Sequence, residues 1–248
     1  MLRGLRAAFT FLTVIPVGGF PFPDSAWRWS AAWFPLVGGV LGFTAAGAFV
    51  LLRPAGVSVA AVGAVAITVI LTGAFHEDGL ADSADALGGA YDRETLFTIL
   101  KDSRVGSYGG LALVLTVAAR AACLAALDAG APLALVVSHV AARTSPVWMM
   151  ATIPYVTSND TSKSRPVVRT SWPQVFLATI LTLGLIGGLV ARSVLAWEVA
   201  VILGAVLIVG AVLCGRYFLK RAGGITGDFL GATEQVNEIL VLVVLAYS

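Results

Sequence analysis

The chain has 248 residues, 58% of them hydrophobic and only 12% charged, with a formal net charge of +2. Soluble domains carry about 25% charged residues, so an ordinary soluble globule is excluded, and a disordered chain would need low hydrophobicity and high charge. So small and scattered a charge offers no surface to nucleic acid, and the two cysteines, Cys123 and Cys214, match neither a disulfide framework nor a zinc pattern and read as core residues.

In chain order, residues 5–17 form a short apolar stretch that ends at Pro16 and Gly18-Gly19. No small-residue cleavage site follows it, and it reads as an interfacial or re-entrant helix. Crossing a hydrocarbon core takes roughly 20 apolar residues in a helix. Residues 31–52 and 55–75 carry no charge, and Arg53-Pro54 between them marks a tight reversal. Further apolar stretches run over 108–127, 131–151, 174–191, 198–216 and 230–248. The predicted fold is all-α: one integral-membrane catalytic domain over 1–248, a polytopic transmembrane helix bundle of about seven spans plus the short N-terminal helix.

The basic residues orient it. With the N-terminus in the cytoplasm, twelve fall on the cytoplasmic side: Arg3, Arg6, Arg28, Arg93, Lys101, Arg104, Lys163, Arg165, Arg169, Arg216, Lys220 and Arg221. Only Arg53 and Arg192 fall opposite, as the positive-inside rule requires. Arg120 and Arg143 lie within spans, and Arg120 has no evident partner. Trp33, Trp148, Trp172 and Trp197 sit near span ends, where aromatic belts form. Residues 158–164 read as a polar cytoplasmic loop, and Ser248 falls on the far side. The expected location is the plasma membrane, multi-pass, with the active face in the cytoplasm.

Ten of the 30 charged residues fall between Glu77 and Arg104. Asp78, Asp82 and Asp85 are spaced i, i+4, i+7, which on a helix is one face. Three like charges there repel unless cations sit between them. All-oxygen ligands favour a hard cation, Mg²⁺ or Mn²⁺, which commonly takes further ligands from water and a substrate phosphate. The chemistry implied is phosphoryl or phosphodiester transfer. A second cluster, Lys101-Asp102-Ser103-Arg104, places cations where they can hold anionic oxygens. Asp102 there either adds a metal ligand or orients Arg104, and Gly106, Gly109 and Gly110 would let backbone N–H groups approach a phosphate. In the third, Gly227 and Asp228 stand at the start of the last span, where Asp228 can serve as an N-cap. Glu238 lies deeper in that span, and a carboxylate at depth is a functional candidate, as is Arg143 with His139 one turn before it. His76 adjoins the acids.

Residues 11–17 (FLTVIPV), 34–42 (FPLVGGVLG), 75–85 (FHEDGLADSAD), 101–109 (KDSRVGSYG) and 223–238 (GGITGDFLGATEQVNE) resemble, in order, the motifs of the cobalamin synthase (adenosylcobinamide-GDP ribazoletransferase) family. The resemblance implies a Mg²⁺-dependent membrane enzyme joining adenosylcobinamide-GDP to α-ribazole or its 5′-phosphate, with release of GMP. It matches Asp78, Gly79, Asp82 and Asp85 to one family motif, Lys101, Asp102, Ser103, Arg104 and Gly106 to a second, and Gly227, Asp228, Gly231, Ala232 and Glu238 to a third. On that basis Asp78, Asp82, Asp85, Asp102 and Asp228 are expected to hold Mg²⁺. Asp82, Asp85, His76, Lys101 and Arg104 are expected at the chemistry, with His76 or an Asp carboxylate as the base. Lys101, Ser103, Arg104, Arg143, Gly227 and Glu238 are expected to bind substrate. Glu77 and Ala86 depart from the family pattern. Two rivals stand beside this reading. A CDP-alcohol phosphotransferase would carry a DG-x-x-A-R run, which Asp78-Gly79-Leu80-Ala81 followed by Asp82 breaks, and a corrinoid carrier would concentrate charge at the bilayer midplane. Oligomeric state is left open.

Overall fold

The computed structural model describes residues 1–156 and 170–248. The loop expected over 158–164, with Lys163, Arg165 and Arg169, lies outside the described residues. Those described form twelve α-helices and no strand, with a single parallel bridge between Tyr155 and Ile225.

Helix α1 (Leu2–Leu12) turns Gly4, Ala7, Ala8 and Leu12 toward the protein. Its 11 residues rise only about 16 Å, half a hydrocarbon core, so it does not cross. The Arg6 guanidinium donates to the Val17 carbonyl (2.9 Å), folding the following segment back along the helix. Helix α2 (Asp24–Ser30) leads into α3 (Phe34–Leu52), which packs on α8 (Ala131–Ala142). At Gly38 a β-carbon would run into the His139 carbonyl, so a glycine is what lets these two backbones touch.

Helix α4 (Val57–Thr72) is shorter than the 55–75 expected, because Gly73 and Ala74 both adopt left-handed conformations (φ 63° and 58°). That turn swings the chain by 91° into α5 (Phe75–Gly89). Helix α5 is polar, carrying Glu77, Asp78, Asp82 and Asp85, and with α4 it forms a sharply bent pair, either a broken span or a re-entrant turn. Helices α6 (Arg93–Ile99) and α7 (Ser107–Leu127) follow. The expected span 131–151 is broken at Arg143 into α8 and α9 (Thr144–Thr152), since Pro146 has no N–H for the Ala142 carbonyl. The last three helices are α10 (Trp172–Ala191), α11 (Trp197–Ala222) and α12 (Gly227–Tyr247).

By length and apolarity, five helical stretches of the described residues can cross a membrane, or six with the bent α4–α5 pair. Two features separate this from the seven expected. One is the shortening of α4 to 16 residues. The other is the stretch Ser107–Thr152, counted once although it folds back on itself. Arg120 and His139 both reach Glu238, yet nineteen residues of unbroken helix would hold them about 28 Å apart. The reversal lies at Asp128–Gly130, where Asp128 pairs with Arg53 at the far end of the bundle.

Two apolar clusters fill the interior. One, near the end bearing α5, includes Phe34, Leu96, Met150, Phe218 and Phe229; the other includes Phe49, Leu124, Leu135, Leu203 and Leu242. Between them lies a buried polar layer of Thr68, Glu77, Arg120, His139, Arg143, Glu234, Gln235 and Glu238. Outside, Phe43, Leu51, Ile70, Leu115, Phe176, Leu183 and Leu213 are exposed, as suits a surface solvated by lipid tails.

Candidate active site

The site forms where α5 crosses the start of α12. A β-carbon at Gly79 would lie 3.0 Å from both Cα and the carbonyl oxygen of Asp228, and one at Gly231 would lie 3.6 Å from Gly79 Cα. Paired glycines thus let two backbones meet and bring Asp78 and Asp82 on α5 beside Asp228 on α12. Thr226 caps α12, its hydroxyl accepting from the Phe229 N–H (3.3 Å). The cap expected of Asp228 is thereby filled, and its carboxylate accepts from the Thr226 hydroxyl at 3.4 Å and from its own backbone N–H.

Among the described residues, none of Asp78, Asp82 and Asp228 forms an ion pair. Partial burial and the charges of Asp78, Asp228 and Asp85 push the Asp82 carboxyl up to about 6. These acids are close enough to repel and lack a countercharge, which is what a divalent-ion site presents before its ion arrives.

Asp85 shares their helix but not their surroundings. It is buried, and its two oxygens accept from the Gly106 N–H (2.7 Å) and the Gly109 N–H (2.9 Å) at the N-terminus of α7. That end of a helix carries unpaired donors and a positive dipole, both suited to a carboxylate. A β-carbon at either glycine would collide with the Asp85 carboxylate. The sequence reading offered these amides to a phosphate; in the fold two of them belong to Asp85, which fastens the 101–109 loop to α5. On that loop Lys101, Ser103 and Arg104 are exposed. Asp102 accepts from Arg104 Nη2 (2.5 Å), and this partner holds its carboxyl down at about 2. Asp102 therefore orients Arg104 and stands apart from the other aspartates.

Beneath this face, Arg120 ties together four helices. Its guanidinium donates to Glu77 Oε1 of α5 (2.9 Å), to Gln235 Oε1 of α12 (3.2 Å) and to Thr68 Oγ1 of α4 (3.1 Å). Its Nε also lies 2.9 Å from Glu238 Oε1, an ion pair without hydrogen-bond alignment. Arg143 pairs with Glu234 (2.8 Å) and lies 3.0 Å from His139 Nδ1. Glu238 and Arg143 are thus members of an interior charge layer, 1% and 2% exposed. Glu77, a departure from the family pattern, is explained by its bond to Arg120. Sequence reasoning left Arg120 unassigned, although an arginine at bilayer depth needs a partner and the glutamates of the last helix were in view. His139, Glu234 and Glu238 bring ligand atoms within 4.8 Å of one another, but both arginines already neutralise those glutamates, so a metal ion there would meet repulsion.

A crevice opens at the start of α12, lined by Phe11 and Leu12 of α1, Phe34, Phe75, His76, Pro146, Met150 and Leu230, and by Gly227, Gly231, Arg143 and Glu234. Most of its lining falls within the quoted stretches, Phe11 and Leu12 in 11–17, Phe34 in 34–42, Phe75 and His76 in 75–85, and Gly227, Gly231 and Glu234 in 223–238, but that they meet in one crevice is set by the fold.

The chain matches the family model for Cobalamin-5-phosphate synthase over residues 4–246. It is 36% identical to the adenosylcobinamide-GDP ribazoletransferase of Ralstonia pickettii, covering 97% of this chain and 93% of that one. It is 38% identical to those of Ralstonia nicotianae (98% and 94% covered) and Shewanella amazonensis (96% and 92%). No solved structure matches it. Acids gathered at one face of a membrane bundle, with this similarity along nearly the whole length, place the chain in the cobalamin-5-phosphate synthase family.

Proposed function

We propose that this chain joins adenosylcobinamide-GDP to α-ribazole, or to its 5′-phosphate, releasing GMP and forming adenosylcobalamin or its 5′-phosphate. The observation that carries the reading is the convergence of Asp78, Asp82 and Asp228 at the Gly79–Gly231 crossing without a countercharge. The family relationship supplies the substrates. We place the protein in the plasma membrane with this face toward the cytoplasm. In support, the described basic residues Arg93, Lys101, Arg104, Arg216, Lys220 and Arg221 lie toward the α5 end, and Arg53 and Arg192 toward the other.

Asp78, Asp82 and Asp228 are the residues that would hold Mg²⁺, their oxygens matching a hard cation. When bound, the ion neutralises charge on the phosphate being transferred. Asp85 acts from behind: it is spent on the α7 amides and sets the distance between α5 and the Lys101–Arg104 loop. Lys101 and Arg104 are exposed and hold the diphosphate, with Arg104 aimed by Asp102. The ribazole hydroxyl attacks the phosphorus linked to the cobinamide, and its proton passes to His76 or to an aspartate. Phosphoryl transfer depends mainly on positioning and charge stabilisation, which this set of groups supplies. The charged layer below is consumed by its own ion pairs, which argues against a carrier, and Asp82-Ser83 stand where the DG-x-x-A-R run of a CDP-alcohol phosphotransferase has Ala-Arg.

Membranes holding the protein, incubated with adenosylcobinamide-GDP, ribazole and Mg²⁺, should release GMP. Uptake of the corrinoid with no GMP formed would overturn the proposal.

A further inference from the structure

We infer that the crevice between α1 and α12 seats the flat aromatic base of the ribazole substrate, with the His76 imidazole as its one hydrogen-bonding partner. The inference rests on the function proposed above and adds where the second substrate sits; with His76 engaged by the base, the hydroxyl proton falls to an aspartate.

The walls are aromatic and already ordered. Phe11 stacks on Phe34 (centroids 5.8 Å apart, planes 5° apart) and meets Phe75 edge-on at 5.2 Å. Met150 completes the apolar side, a side chain that adapts to a flat ring. The void already open is only about 30 Å³, room for water and not for a bicycle, so the base enters only as the Phe11 ring moves aside. Phe11 stands at the end of α1, one residue before the helix gives way to extended chain, so its ring can swing aside as a bicycle enters.

The polar groups choose among the three ring systems that the substrates bring. Arg143 and Glu234 are paired with each other across 2.8 Å. His76 is only 4% exposed, lines the crevice, and makes no hydrogen bond to any described residue. One unpartnered imidazole suits a fused bicycle with a single free ring nitrogen, as the base of a ribazole has. Guanine would bring an oxo group, an amine and ring N–H groups into a largely apolar slot, and unmet polar groups there are costly. A corrin ring is too broad for it. Position agrees as well: Gly227 lines the crevice and Asp228 is the next residue of α12.

The test uses the full chain in detergent, with Phe11→Ala and Met150→Ala made separately. GMP release gives the KM for each substrate, and equilibrium dialysis gives ribazole binding alone. Losing a stacking partner should raise the ribazole KM and Kd about tenfold or more, with the KM for adenosylcobinamide-GDP unchanged. Should Phe11→Ala not fold, Phe11→Trp keeps the wall, narrows the slot, and must raise the ribazole KM likewise. Unchanged ribazole values, or a rise confined to adenosylcobinamide-GDP, would overturn the inference. A wild-type chain that binds ribazole but releases no GMP would overturn the proposed reaction and leave the crevice assignment standing, provided the variants lose that binding.

Discussion

Arg120→Met removes the cation at the centre of the interior charge layer while keeping most of the side chain's bulk. The layer holds Arg120 and Arg143 against Glu77, Glu234 and Glu238, all buried, so the change leaves one arginine facing three glutamates. Breaking a buried pair by removing one partner costs about 3–5 kcal/mol, because the other charge stays behind uncompensated. We expect the lower end, since a chain unfolded in detergent also finds polar partners; about 3 kcal/mol is still some two decades in the unfolding equilibrium. The assay is unfolding of the purified protein in mixed micelles, followed by helix content, alongside GMP release. Activity should fall with stability, because Glu77 adjoins Asp78 and α5 loses its anchor to α12. The decisive comparison is the triple variant Arg120→Met, Glu77→Gln, Glu238→Gln. It removes the stranded charges together with the cation and should recover most of the lost stability. A single variant as stable as the parent, or a triple variant worse than the single, would refute the idea that charge compensation holds this layer.

Three further outcomes follow from the site. Gly79→Ala sets a methyl 3.0 Å from the Asp228 backbone; forcing α5 off α12 should cost about 1–3 kcal/mol and raise the Mg²⁺ concentration needed for half-maximal turnover, and unchanged Mg²⁺ dependence would break the link between crossing and site. Asp82→Asn and Asp85→Asn should both abolish turnover but differ in stability. The Asp85 change turns an amide donor toward α7 N–H groups and lowers the melting temperature, whereas the Asp82 change relieves repulsion and leaves it equal or higher; equal losses in the two would contradict the separate roles. The raised Asp82 carboxyl gives a pH signature: the folded state holds its proton up to about 6 while the unfolded chain releases it near 4. Without divalent ion, thermal stability should therefore fall as pH rises from about 4 through 6, and Asp82→Asn should flatten that slope; a slope of opposite sign in the parent would exclude the raised carboxyl.

Chain pattern alone revealed the class of fold because membrane helices announce themselves by length and absence of charge. It placed the aspartates of α5 and Asp228 at one face through the positive-inside count, and the fold brings them to one crossing. It misjudged what is set by close tertiary contact. The α4–α5 turn depends on two consecutive left-handed residues, one of them Ala74, for which no local residue type is diagnostic. The division of labour within Asp78, Asp82 and Asp85 was equally hidden, since all three share a helix face and differ only in what packs above it. Arg120 could have been matched with a glutamate from depth alone, but which glutamates required the folded arrangement.

The two charge sets are coupled through the same pair of helices. At the surface Asp78 and Asp82 of α5 repel Asp228 of α12, a force that tends to open the crossing. One residue from Asp78, Glu77 reaches down to Arg120, which also binds Gln235 and meets Glu238 on α12. Arg120 thus joins, at depth, the two elements that the aspartates drive apart at the face. In a low-dielectric interior an ion pair is held far more tightly than at an exposed surface, so the inner attraction can hold the acids in place before any cation arrives. On the proposed reading, this arrangement would pre-organise a cation site at the membrane face without filling it with protein charge, which would compete with the substrate's diphosphate.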